Sequence, residues 1–143
     1  MSNLEFYVVA MQDGKEVLKK KLSYEAVSNV VSNASDGSEN DDLFAVASKH
    51  ASSNVREQVA YKDHLSDETV EHLSDDKSIA VLRNLVRSQK FKETANTEKL
   101  KSLISLDVEI ASTIAGDIES YAEADKDELL VDLLQNSDPY VLG

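Results

Sequence analysis

The chain has 143 residues, of which 41% are hydrophobic and 29% charged, with four Gly, one Pro, no Cys and no Trp. This is the size of one domain, able to bury roughly 68% of its extended-chain surface, and its composition is not that of a disordered segment. The absence of cysteine excludes a disulfide framework, thiolate metal centres and a cysteine nucleophile, and the scarcity of Gly and Pro disfavours an all-β sandwich or barrel.

The 27 acidic and 15 basic residues give a net charge of −12, unevenly spread. Residues 1–35 are balanced. Residues 36–76 hold eleven acids and three bases, residues 77–101 two acids and seven bases, and residues 102–143 ten acids and one base. A basic island therefore separates two acidic blocks. No run of about 18 apolar residues exists, and the opening Met1-Ser2-Asn3-Leu4-Glu5-Phe6 lacks a basic segment followed by an apolar one. The expectation is a soluble cytoplasmic protein with no membrane contact.

The first 22 residues follow period two. Leu4, Phe6, Val8 and Ala10 alternate with Glu5, Tyr7, Val9 and Met11, the pattern of a strand. Asp13-Gly14 suits the two positive φ angles of a type I′ turn, and residues 16–22 form the return strand. A hairpin alone is marginal in water, so this one is expected to pack on the helices or to pair with another chain. Lys19, Lys20 and Lys21 protect an edge from uncontrolled pairing.

From Ser23 the period becomes about 3.6. Eight stripes follow in order: Val27, Val30, Val31 and Ala34; Leu43, Val46 and Ala47; Val55 and Val59; Val70 and Leu73; Leu82, Leu85 and Val86; Leu100, Leu103 and Ile104; Ala111, Ile114, Ala115 and Ile118; Leu129, Leu130, Leu133 and Leu134. Each predicts a short helix burying one face. Ser23, Ser66 and Thr97 read as N-caps before a first turn bearing Glu25, Glu68 or Glu98. Asn54 with Glu57 and Asp125 with Glu128 have capping-box spacing.

Three segments align at an offset of 30: residues 66–73 (SDETVEHL), 96–103 (NTEKLKSL) and 126–133 (KDELLVDL). Glu68, Glu98 and Glu128 coincide, as do Val70, Leu100 and Leu130, and Leu73, Leu103 and Leu133. Each segment follows another helix, at residues 55–60, 81–86 and 110–115. Residues 23–51 supply a diverged first pair. Helix pairs that cannot bury their stripes alone must stack. The expected fold class is therefore mainly α, with stacked helix-pair repeats (a short, HEAT-like α-solenoid) and a small N-terminal β-hairpin. Residues 1–22 form the hairpin packed on the repeats and residues 23–143 the repeat domain, in one globular unit. Asp138-Pro139-Tyr140-Val141 reads as an N-cap, an N1 proline and the start of a further unit, either an end cap or an open end.

One unit carries a family resemblance. Asn54-Val55-Arg56-Glu57-Gln58-Val59-Ala60, then Leu65-Ser66-Asp67-Glu68, then Val70 and Leu73 with Asp75-Asp76, resembles the unit of the leucine-rich repeat variant family, within the broader HEAT-like helical repeats. Later units keep the Val-Arg step only in part, as Leu82-Arg83 and Ala111-Ser112. The resemblance spans roughly residues 41–138. It implies a right-handed α-helical superhelix and no particular activity. Some family members hold an iron–sulfur cluster on cysteines, which this chain lacks, and no cofactor is expected.

Residues that might carry chemistry are few. His50, His64 and His72 form no metal-binding spacing, and a metal site would need them to converge with carboxylates such as Asp67 or Glu71. The acidic stretch at residues 36–42 has Asp41 where a calcium loop needs Gly, so it reads as a helix-capping loop. Gly14, Gly37, Gly116 and Gly143 are too dispersed for a phosphate loop, and no GxSxG elbow is present. The chain is not expected to be an enzyme.

Arg83, Arg87 and Lys90 share one helix face at i, i+4 and i+7. They either meet an acidic partner or neutralise neighbouring acidic helices, and the flanking acidic blocks favour the second. Direct nucleic-acid binding is not expected.

The functional expectation is a non-catalytic protein–protein interaction module that offers an acidic helical-repeat surface to a basic protein. Its candidate contact residues are Asp117, Glu119, Glu123, Asp125 and Asp127. The alternative is a small acidic inhibitor or immunity protein that imitates nucleic-acid charge and blocks a nuclease or DNA-binding complex. Self-association is open to it through the hairpin or the C-terminal repeat end.

Overall fold

A computed structural model describes residues 4–135. Strands β1 (Tyr7–Gln12) and β2 (Lys15–Lys21) form an antiparallel hairpin. Nine α-helices follow among the described residues: α1 (Tyr24–Asn33), α2 (Asp41–Ala47), α3 (Ser53–Ala60), α4 (Asp67–Ser74), α5 (Ile79–Leu85), α6 (Gln89–Thr94), α7 (Thr97–Ile104), α8 (Val108–Gly116) and α9 (Lys126–Gln135). Short 3₁₀ turns occupy Ser38–Asn40 and Ile118–Ser120. The chain is thus mainly helical with a small N-terminal hairpin. No helix among the described residues is long and apolar enough to cross a membrane. The proline at 139 lies outside the described residues.

The hairpin turns where the sequence places it. Asp13 and Gly14 have φ of 52° and 78°, both in the left-handed region a type I′ turn requires. A register irregularity lies between Ala10 and Met11. The Leu22 N–H donates to the Phe6 carbonyl at 2.8 Å and closes the base. Only this base packs on the helices: Phe6 and Leu22 lie partly buried against the core, and the Phe6 ring sits 6.0 Å from that of His50. The strands themselves stay exposed, with Ala10 alone half-buried.

The helices contact one another in a regular order. α1 packs on α3, α3 on α5 and α5 on α8, while α2 meets α4, α4 meets α6 and α7 meets α9. The core runs continuously through them, from Val27 and Val31 to Leu129 and Leu133. Several stripe residues are nonetheless exposed: Val30, Val46, Leu130 and Leu134. Conversely, Phe44, Phe91 and Tyr121 are fully buried although none belongs to a predicted stripe.

Other expectations are corrected. α6 lies where no stripe is visible, because its six residues bury Phe91 alone. Asn96, not Thr97, caps α7, accepting from the Lys99 N–H; the Thr97 hydroxyl instead accepts from the Asp125 N–H at 2.7 Å. The residue before α3 is Ser52, so Asn54 lies inside the helix and caps nothing. Ser23 and Ser66 do cap their helices, and Asp125 accepts from the Glu128 N–H at 3.1 Å. The 30-residue offset holds from α4 to α7, but α9 starts one residue early: Val70 and Leu100 are buried, whereas Leu130 is exposed and Leu129 takes the buried place. Leu73, Leu103 and Leu133 are all buried.

Candidate partner-binding surface

The basic island is largely occupied by carboxylates from neighbouring helices. Arg83 on α5 forms a forked contact with Asp107, at 3.0 and 2.9 Å, and reaches Glu109 at 2.9 Å. Lys90 meets Asp67 at 3.0 Å and Lys92 meets Asp117 at 3.2 Å. Lys99 meets Asp75 at 2.7 Å and Lys101 meets Glu128 at 3.0 Å. Arg87 is exposed and has no ion pair among the described residues. Arg83 lies on α5, Arg87 in the turn that follows it and Lys90 on α6, so the helix break at residues 86–88 removes the common helix face expected for them, and Arg87 alone of the three lacks an ion pair among the described residues.

The Arg83 contact has a counterpart at Arg56. Arg56 on α3 grips Asp76 at 2.8 and 3.2 Å and donates to the carbonyls of His50 and Ala51, both at 2.9 Å. Arg56 lies on α3 with Asp76 shortly before α5, and Arg83 lies on α5 with Asp107 immediately before α8. The fork fits a carboxylate in two parallel bonds. Asp107 also accepts from the Ile110 N–H as the cap of α8. The Arg83 hydrogen bond outweighs partial burial and holds the Asp107 pKa below its ordinary value, while the same bond raises that of Arg83.

Further side chains tie segments distant in sequence to one another through the backbone. The Asp36 carboxylate accepts from the N–H groups of Asp63 and His64, both at 2.8 Å. Burial pushes its pKa up, but these bonds pull it below the ordinary value. Asp36 thus ties the 36–42 stretch to the loop before α4, and the expected capping role is not seen: Asn40, at the N-cap of α2, makes no side-chain capping bond. Asp63 in turn accepts from the Gln89 N–H at 3.0 Å. Lys62, buried to 8% exposure, donates to the carbonyls of Ser32 and Ala34 at 3.1 and 3.0 Å and neutralises the negative end of α1. The Tyr121 hydroxyl donates to the Val86 carbonyl at 2.9 Å, and burial pushes its pKa up.

The acidic candidates divide. Asp117 is engaged by Lys92, and Glu119 by Lys126 at 2.8 Å. Asp125 spends its carboxylate on the cap of α9. Glu123 and Asp127 are exposed with no ion pair among the described residues.

Asp127 belongs to a row that the sequence pattern does not single out. Asp42, Glu68, Glu98 and Asp127 are each the second residue of α2, α4, α7 and α9, and all four are exposed. None of the four makes an ion pair among the described residues. The aligned Glu128 pairs instead with Lys101, because α9 starts 29 residues after α7 rather than 30. A carboxylate at this place suits the helix dipole.

The histidines are dispersed. His50 accepts from the Ser52 N–H through Nδ1 at 3.0 Å; burial, aided by the nearby Arg56, lowers its pKa. His64 lies 3.5 Å from Asp36. Among the described residues no three His, Asp or Glu side chains gather as a metal site. An open cleft of about 530 Å³ is lined by Lys49, His50, Arg56, His72, Asp75 and Lys77, where Arg56 is already saturated by its four acceptors.

Compared with known proteins, the chain matches no family model, no curated protein and no solved structure.

Proposed function

We propose that this chain is a non-catalytic binding module: a short stack of helix pairs whose second helices offer carboxylates to a basic protein. The pairs are α1 with α2, α3 with α4, α5 with α6 and α7, and α8 with α9. The α1–α3–α5–α8 order of contacts and the repeated arginine–aspartate fork support stacking, as does the HEAT-like resemblance of residues 54–76. Stacked units expose an extended surface suited to partners.

The observation that carries the proposal is the row Asp42, Glu68, Glu98 and Asp127, exposed at one structural position of four helices. Lys90 and Lys101 pair with Asp67 and Glu128, the neighbours of Glu68 and Asp127 on α4 and α9, and not with the row itself. Complementary potential of this kind steers and selects a partner more than it adds affinity.

The test is charge reversal to Lys at Asp42, Glu68, Glu98 and Asp127 together, compared with reversal at Asp117, Glu119 and Glu123. Both chains and the wild type are used to capture proteins from native lysate, with melting curves confirming the fold. Basic proteins retained by the wild type at low salt should be lost with the first set and kept with the second. Equal capture by all three chains removes the row from consideration.

A further inference from the structure

The hairpin carries more apolar surface than its position explains. Val8, Val9, Met11, Val17 and Leu18 are 45–60% exposed, and they fall on both faces of the sheet. Strands apolar on both faces are ordinarily covered on both. The two edges differ as sharply. β2 reads Lys-Glu-Val-Leu-Lys-Lys-Lys, whereas β1, Tyr-Val-Val-Ala-Met-Gln, has no charge at all. Lysines guard an edge against pairing; β1 has no such guard, and among the described residues nothing pairs with its outer edge.

The register shows which backbone groups face outward. Phe6 and Leu22 are opposite, and the Leu22 N–H donates to the Phe6 carbonyl. Hydrogen-bonded and non-hydrogen-bonded pairs alternate along an antiparallel ladder. Phe6, Val8 and Ala10 therefore bond to β2, leaving the N–H and C=O groups of Tyr7, Val9 and Met11 for the free edge.

We propose that two copies of this chain pair β1 to β1 in antiparallel fashion, with Val9 facing Val9 of the second copy across a two-fold axis. Tyr7 then faces Met11, and within residues 7–11 no charged side chain opposes another. The lysine-bearing β2 strands become the outer edges of a four-stranded sheet. A two-stranded sheet is marginal alone, and additional strands stabilise it. The interface is isologous and closes at two copies. A second copy is a better occupant than an acidic strand, since an acidic strand would be drawn to the lysines of β2 and not to the neutral edge. The net charge of −12 makes the two bodies repel, so added salt strengthens the pairing by screening.

The full-length chain is studied by sedimentation equilibrium up to about 100 µM, at low and high salt. A dimer that tightens with salt is expected. Val9→Pro removes an outward N–H while sparing the bonds to β2, and Val9→Lys sets two lysines opposite each other; each should weaken association at least roughly tenfold without altering the helical circular dichroism. Mixing Val9→Lys with Val9→Glu chains should restore a dimer containing one of each. A monomer at all concentrations overturns the proposal. So does a dimer that loosens with salt, one that survives both single substitutions, or one that the mixed pair fails to restore.

Discussion

The helical body and the hairpin use the same kinds of residue to opposite ends. In the body, apolar side chains are covered by neighbouring helices, and polar ones lock segments distant in sequence together: Asp36 and Asp63 hold backbone N–H groups, Lys62 holds two carbonyls, and Arg56 and Arg83 hold aspartates. In the hairpin, apolar residues remain uncovered and the lysines line an edge. Stability resides where each element has a successor to pack on, and the hairpin, attached at Phe6 and Leu22, has none among the described residues. Its conformation rests on turn chemistry and cross-strand pairing.

This contrast can be broken most strongly in the body. Leu73→Ala removes a side chain with no exposure and should cost about 2–5 kcal/mol, read from denaturant unfolding. The equivalent truncation Val9→Ala should change body stability by less than about 0.5 kcal/mol. Similar losses at the two sites would show that hairpin and helices unfold as one unit.

A smaller effect is expected at the fork. Asp107→Ala removes both the cap of α8 and the acceptor of Arg83, and should cost about 1–2 kcal/mol at neutral pH. Asp107 has a lowered pKa in the folded chain, so its contribution is present above its unfolded pKa and is lost as pH falls through the folded value. The gap between wild type and variant should therefore narrow on acidification through the carboxylate range, as measured by melting at stepped pH. A gap that widened would assign the loss to packing instead of charge. His50, whose pKa is also lowered, acts in the same direction, its contribution present above its ordinary value of 6.5 and fading as pH falls from there.

The smallest effect on the body concerns the turn. A methyl group at Gly14 would meet open space, but the residue has a φ of +78°, so Gly14→Ala strains the backbone by about 1–2 kcal/mol. Amide exchange in β1 and β2 should accelerate while exchange in α3 and α5 stays unchanged. Faster exchange throughout would erase the distinction between the two regions.

Much of this fold is legible in the chain. Asp13-Gly14 announces its turn, since few other dipeptides accept two positive φ angles. Ser23 and Ser66 announce helix starts, because a side-chain oxygen and the N–H groups it accepts from lie within three residues. α6 is invisible because one buried Phe91 makes no period. Asn96 and Thr97 are both competent caps, and the competing Asp125 N–H, 28 residues from Thr97, decides between them.

The acidic candidates show the same limit. Asp117 and Glu119 look available beside Glu123, yet Lys92 and Lys126 reach them. Asp42 reads as part of a capping loop and Glu68 as a dipole complement, yet they share a row with Glu98 and Asp127. Local order is encoded by neighbours in sequence: the period of the stripes, the caps and the hairpin turn follow from interactions spanning a few residues. Which flank of a stripe is covered, which carboxylate a lysine reaches and where α9 starts depend on groups well separated along the chain. Those separations are closed only when the helices pack, so the tertiary structure alone decided them.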